Sequence, residues 1–148
     1  MLVIPAIDIR GGRCVRLLQG DFDRETVYSD DPVAMAKRFE EAGASLIHVV
    51  DLDGAFSGKP VNHELIAQIA AGVSIPIEVG GGIRNGESVR RYIDAGVERI
   101  ILGTAVVGGD ADGLIDNYRR YLVAGVDARD SRVAVEGWRK VSDISSLD

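Results

Sequence analysis

Five short apolar runs, each followed by a stretch with helical spacing or a polar loop, constrain the fold of this chain more than any other feature. They occupy residues 2–9, 46–51, 75–79, 99–102 and 122–127. Each is rich in Ile and Val and bounded by Gly, Pro or Asp, the pattern of strands buried on both faces of a parallel sheet. Between them, Asp31-Pro32 precedes Val33, Ala36 and Phe39, and Asn62 precedes Leu65, Ile66 and Ile69. Asp and Asn can accept from first-turn N–H groups, and Pro suits the first helical position. A third helix is expected from near Asn85, burying Val89, Tyr92 and Ile93. A fourth follows Asp110 with Leu114, Ile115 and Tyr118, weakened by about 1 kcal/mol at Gly113. Gly43 and Gly96 stand where helices commonly stop.

Strand alternating with helix implies right-handed βαβ units. Ala42-Gly43-Ala44-Ser45-Leu46-Ile47 and Ala95-Gly96-Val97-Glu98-Arg99-Ile100 form a faint repeat, both leading from a helix into a strand. A doubly wound sheet and a barrel both fit such a pattern. A dinucleotide fold would open a helix directly after its first glycines, whereas Gly11-Gly12 runs into Arg13-Cys14-Val15-Arg16, a loop or short hairpin. That disfavours the doubly wound form.

At 148 residues, residues 1–148 are expected to form one domain. The net charge of -6 and the scattered Lys and Arg argue against a nucleic-acid surface. No apolar run approaches the roughly 20 residues of a membrane span. The apolar opening lacks a basic n-region, and Cys14 has no partner for an internal disulfide, so a cytoplasmic location is expected.

Two carboxylates stand at the ends of expected strands, Asp8 on the first and Asp127 on the fifth. In an eight-stranded barrel these strands lie opposite each other, and active sites gather at the C-terminal face. One carboxylate can then act as base and the other as acid; the structural alternative for each is a loop-capping role. Gly80-Gly81-Gly82 follows the third strand and leads to the helix start at Asn85. Backbone N–H groups there can approach a phosphate, with the helix dipole adding to the attraction. Gly103-Thr104 could donate from the neighbouring strand; tight βα turns are the alternative for both. Arg16 lies in the first loop, suited to a phosphate or simply solvated. Trp138 follows the fifth strand and could stack on a planar heterocycle or pack a lid. His48 and His63 match no metal-binding spacing and read as structural.

Taken together, Ile4-Pro5-Ala6-Ile7-Asp8, Gly12-Arg13-Cys14-Val15-Arg16-Leu17, Gln19-Gly20-Asp21, Val49-Val50-Asp51-Leu52-Asp53-Gly54-Ala55, Val79-Gly80-Gly81-Gly82-Ile83-Arg84, Gly103-Thr104-Ala105 and Asp127-Ala128-Arg129-Asp130, continuing to Gly137-Trp138, resemble the ProFAR isomerase family of histidine biosynthesis. ProFAR is phosphoribosylformimino-aminoimidazole carboxamide ribotide. The resemblance implies an α/β fold, a partial (β/α)₈ TIM barrel of about five parallel strands and four helices. It implies an Amadori rearrangement of an aminoaldose to an aminoketose on a small phosphoribosyl substrate, without metal or organic cofactor. Asp8 would be the base and Asp127 the acid that helps open the ribose ring. Gly81, Gly82, Gly103 and Thr104 would lie near one phosphate, Arg16 would contact a phosphate, and Trp138 would cover the imidazole. The related cyclase subunit shares the barrel and both aspartates, but resembles Cys-Leu-Asp-Val where this chain has Ala6-Ile7-Asp8-Ile9, and lacks a Val-Asp-Leu-Asp-Gly-Ala segment.

A complete barrel of this kind has eight strands and about 250 residues, and residue 148 falls where a fifth helix would begin. The second phosphate site and a supporting residue on strand six would lie beyond it. The first and fifth strands would each present an open edge, favouring self-association or marginal stability. A non-catalytic partial barrel that binds phosphate or pairs with another chain is the alternative. Arg119-Arg120-Tyr121-Leu122 passes from helix to strand without a Gly, Asn or Pro turn, about three residues shorter than the family pattern, which could shift the register of Asp127.

Overall fold

The computed structural model describes residues 1–107, 111–129, 132–135 and 140–145. In chain order the elements are β1 (Ala6–Arg10), β2 (Arg13–Leu18), β3 (Asp21–Ser29), α1 (Pro32–Glu41), β4 (Ile47–Asp51), α2 (Leu52–Ser57), α3 (His63–Gly72), β5 (Ile77–Gly80), α4 (Gly86–Asp94), β6 (Arg99–Leu102), α5 (Thr104–Val107), α6 (Asp112–Tyr118), β7 (Leu122–Ala124), β8 (Asp127–Arg129), β9 (Arg132–Val135) and β10 (Lys140–Ser145). One seven-stranded sheet runs β3-β2-β1-β4-β5-β6-β7, and β8 to β10 form a separate antiparallel sheet of three. Within the larger sheet β1, β4, β5, β6 and β7 are parallel neighbours. This is the succession of the first five strands of a (β/α)₈ barrel, as the alternation of runs and helices implies. Four longer helices occupy the expected places; α2 and α5 are short additions.

Side-chain alternation divides the sheet into two chemically distinct faces. Ile7, Val49, Val79, Ile100 and Leu122 form one row across the five parallel strands. With Ile9, Ile47, Ile77 and Leu102 they pack against Ala36, Ile66, Ile69, Val89 and Tyr92 of the helices. Each of these Ile and Leu side chains, where fully buried, contributes about 1.5–3 kcal/mol. On the other face Asp8, His48, Val50, Glu78 and Ile101 are only half-buried.

The helix signals hold where they are local. Asp31 caps α1, accepting from Ala34 N at 2.9 Å with Pro32 in the first turn, and Asn85 caps α4, accepting from Ser88 N at 2.9 Å. The faint repeat is real in atomic detail. Gly43 N–H donates to Glu40 O and Ala44 N–H to Phe39 O, and Gly96 and Val97 repeat the pair on Ile93 and Tyr92. Both glycines take positive φ, +92° and +90°, so each helix ends in the same Schellman motif before entering a strand.

Other expectations need correction. Asn62 precedes α3, but its side chain makes no cap hydrogen bond and reaches two aspartates instead. Ile115 is exposed although Leu114 is buried. The first strand begins at Ala6 rather than residue 2, and Leu2, Val3 and Ile4 are exposed. The outer edge of β1 is not open: β2 pairs with it antiparallel at Asp8↔Val15, Ile9↔Cys14 and Arg10↔Arg13. Gly11-Gly12 thus makes a hairpin turn, one of the two forms anticipated. The passage from α6 to β7 needs no glycine, because Tyr121 N–H donates to Tyr118 O and Leu122 N–H to Arg119 O in a tight turn.

The fifth parallel strand is shorter than its apolar run. It ends at Ala124, and Gly125 N–H donates once more to Leu102 O before the chain leaves β6. Asp127 therefore opens β8 and pairs with Ala134 of β9 instead of closing the parallel strand. Asp110 and Trp138 lie outside the described residues.

Candidate active site

Because the five strands are parallel, their C-terminal ends share one edge of the sheet, and the turns after β1, β4, β5 and β6 gather there. The half-buried face beside that edge carries Asp8. Register places Asp8, Val50, Gly80, Ile101 and Val123 in a single row. Asp8 is thus the one ionisable side chain in an otherwise apolar row. Burial raises its carboxyl above the ordinary value, and the charges of His48 and Arg16 partly offset this. The structure therefore brings Arg16 into electrostatic reach of Asp8, although the arginine side chain is exposed on β2.

The hairpin bearing Arg16 is anchored at several points. Gly11 N–H donates to Asp53 Oδ2 at 2.8 Å. Arg10 Nη1 donates to Phe22 O and Glu25 Oε2, both at 2.8 Å, while its guanidinium lies 5.1 Å from the Phe22 ring centroid. Phe22 in turn meets Phe56 of α2 at 5.5 Å. Two elements far apart in sequence, β3 and α2, are thereby joined above the C-terminal end of β1.

Beneath this joint lies Asp51, the one fully buried charged side chain among the described residues. Its Oδ1 accepts from Gly54 N at 2.8 Å and Asn62 Nδ2 at 2.7 Å. Its Oδ2 accepts from Val61 N at 2.8 Å and Asn62 N at 2.9 Å. Asn62 Nδ2 also donates to Asp53 Oδ2 at 2.8 Å. In the sequence Asp51 stands out only as part of the segment at 49–55, and Asn62 reads as a helix cap. The available signal was an aspartate ending a buried strand immediately before a turn.

The glycine run after β5 fits against the same turn. A Cβ on Gly81 would fall 2.2 Å from Asp51 O, and one on Gly82 would fall 2.4 Å from Gly54 O; both residues also take positive φ. Steric need alone thus accounts for these two glycines, as the tight-turn alternative supposes, and it brings their backbone to the C-terminal edge. Gly80 is an ordinary strand residue in the Asp8 row. Gly103 and Thr104 follow β6 on the adjacent strand, with Thr104 opening the single-turn α5. A ligand at this edge would meet the turns after β5 and β6 together.

Asp127 is exposed, yet partial burial raises its carboxyl as well. His48 was read as structural; it lies on the same face as Asp8, with Nδ1 2.8 Å from Glu78 Oε1. Among the described residues no group of three His, Cys, Asp or Glu is placed to hold a metal ion, and no helix is long and apolar enough to cross a membrane.

The chain is 55% identical over 144 residues to a protein of Desulforudis audaxviator named 1-(5-phosphoribosyl)-5-((5-phosphoribosylamino)methylideneamino)imidazole-4-carboxamide isomerase, covering 96% of this chain and 55% of that relative. Proteins of the same name from Syntrophobacter fumaroxidans and Brevibacillus brevis are 54% and 48% identical over 152 and 149 residues, each covering 99% of this chain and 58% and 60% of the relative. The chain spans little more than half the length of these curated relatives. A family profile described as histidine biosynthesis protein matches residues 2–148, and with these identities it establishes that the chain belongs to that family.

Proposed function

We infer that this chain carries the N-terminal part of the active site of a ProFAR isomerase, with Asp8 as the base. The observation that carries this reading is the position of Asp8. It is a half-buried carboxylate alone in an apolar row, next to the edge where the glycine turns after β5 and β6 meet.

In an Amadori rearrangement, protonation of the ribose ring oxygen breaks its bond to C1 and leaves an iminium at that carbon. A base then removes the C2 proton, the electron pair moves to give an enolamine, and protonation at C1 with loss of the C2 hydroxyl proton yields the ketone at C2. The product is an isomer of the substrate, so the sequence needs only proton transfer. Asp8 takes the C2 proton and Asp127 supplies the proton to the ring oxygen; a carboxyl raised by burial is suited to holding one. Backbone N–H groups at Gly81, Gly82, Gly103 and Thr104, with Gly80 leading into them, receive one phosphate. Arg16 contacts a phosphate from the hairpin, and Trp138 covers the imidazole. The substrate is a small phosphoribosyl compound, and a cytoplasmic location follows from its phosphates, which keep it within the cell. Among the described residues β7 ends the larger sheet, and its outer side is the edge through which the sheet would pair with further strands or with a second copy.

Conversion of ProFAR to its ribulosyl isomer is the test, with Asp8→Asn and Asp127→Asn run alongside the unaltered chain. Conversion lost by about 10²-fold or more in each variant supports both roles. Conversion that survives Asp8→Asn overturns the assignment.

A further inference from the structure

We propose that His48 is a positioning residue for Asp8, its imidazole fixed by Glu78 so that it orients and electrostatically supports the neighbouring carboxylate. His48 lies on β4 opposite Ala6, two residues before Asp8 on β1, and both side chains project from the same face of adjacent strands. Glu78 lies opposite His48 on β5, and Arg99 lies opposite Glu78 on β6. The row behind Asp8 is therefore Ala6, His48, Glu78 and Arg99, a polar row beside an apolar one. Its members are connected: His48 Nδ1 is 2.8 Å from Glu78 Oε1, and Arg99 Nη1 is 3.9 Å from Glu78 Oε2.

A carboxylate at Nδ1 selects the tautomer carrying its proton there and fixes the ring plane. Nε2 is then the nitrogen left for the open face, a donor whenever the ring is protonated. The other charged groups around β1 are engaged elsewhere. Arg10 binds Glu25, and Asp53 accepts from Gly11 N and Asn62. Arg16, and His48 when its ring is protonated, remain as the positive charges acting on Asp8, one from the hairpin and one from the sheet. The hairpin residue is exposed, whereas His48 is braced by its neighbour. A simple packing role would not require a carboxylate partner on the next strand.

This inference rests on the reading of Asp8 as the base, but its test needs no turnover. In the isotopically labelled chain without substrate, the Asp8 13Cγ resonance is followed through an acid titration, in parallel with His48→Gln and His48→Asn. Long-range 15N spectra of the unaltered chain and of Glu78→Gln report the His48 tautomer. The Asp8 midpoint moves to higher pH in both His48 variants while that of Asp127 stays in place. Neutral His48 carries its proton on Nδ1, and Glu78→Gln shifts it toward the ordinary mixture. An Asp8 midpoint unchanged in a folded His48 variant, or neutral His48 protonated on Nε2 in the unaltered chain, overturns the proposal. The tautomer measurement stands even if neither His48 variant folds. Loss of isomerase activity together with an unshifted Asp8 midpoint would uphold the isomerase reading and reject this one.

Discussion

Asp51→Asn should destabilise the chain by about 3 kcal/mol, although it changes one atom. Each carboxylate oxygen of Asp51 accepts two hydrogen bonds, from Gly54 N and Asn62 Nδ2 on one side and from Val61 N and Asn62 N on the other. An amide offers one oxygen, so its NH₂ must face two donors whichever way it is turned. Two bonds to a charged acceptor are lost, at about 1.5–3 kcal/mol each, and part of this is offset because a neutral amide is easier to bury. Urea denaturation followed by far-UV circular dichroism measures the difference. With a slope of about 1–3 kcal/mol/M, the midpoint should fall by roughly 1–3 M at unchanged slope. Asn62→Ala removes two bonds donated to charged acceptors, those to Asp51 Oδ1 and Asp53 Oδ2, and by the same figures should also cost about 3 kcal/mol. An Asp51→Asn variant within about 0.5 kcal/mol of the parent would refute the reasoning.

Two further outcomes follow from the same geometry. Asp8 holds its proton more tightly in the folded chain than its ordinary value of 3.8 allows, because burial outweighs His48 and Arg16. Stability from this group is complete below that ordinary value and is lost as pH rises through the folded one. Asp8→Asn should therefore raise the melting temperature at neutral pH, a gain that shrinks to nothing when the scans are repeated below the ordinary value. A gain that grows on acidification would contradict the sign. Gly81→Ala places a Cβ 2.2 Å from Asp51 O at a φ of +110° and should cost about 2–5 kcal/mol in the same urea titration; a neutral substitution would mean the turn can move away.

Features that depend on nearby residues were legible in the sequence. Asp31 and Asn85 bond to N–H groups three residues on, and the two Schellman ends need only their own helix and one glycine. The strands after the first helix were readable as short Ile- and Val-rich runs bounded by Gly, Pro or Asp, although only the helix-covered face of the sheet is fully buried. What escaped depends on distant partners. Asn62 looked like a cap because the aspartates that claim its side chain lie nine and eleven residues earlier. His48 looked structural because Glu78, thirty residues later, becomes its neighbour only when β4 and β5 pair. The end of β7 depends on where the chain leaves β6, which the run at 122–127 does not encode. The glycines at 81 and 82 were read for a ligand, and the turn they pack against supplies a reason of its own. The edge of β1 was expected to be open because the strand count suggested a bare barrel, while the hairpin that covers it is written in the loop.

The measurement that tests the central claim most directly is a titration of the labelled chain with ProFAR, followed through backbone amide resonances. The account predicts saturable shifts at Gly81, Gly82, Gly103 and Thr104 and at the residues flanking Asp8, along the C-terminal edge of the parallel strands. Saturable shifts confined to another surface, or a folded chain whose resonances at that edge do not respond, would contradict it.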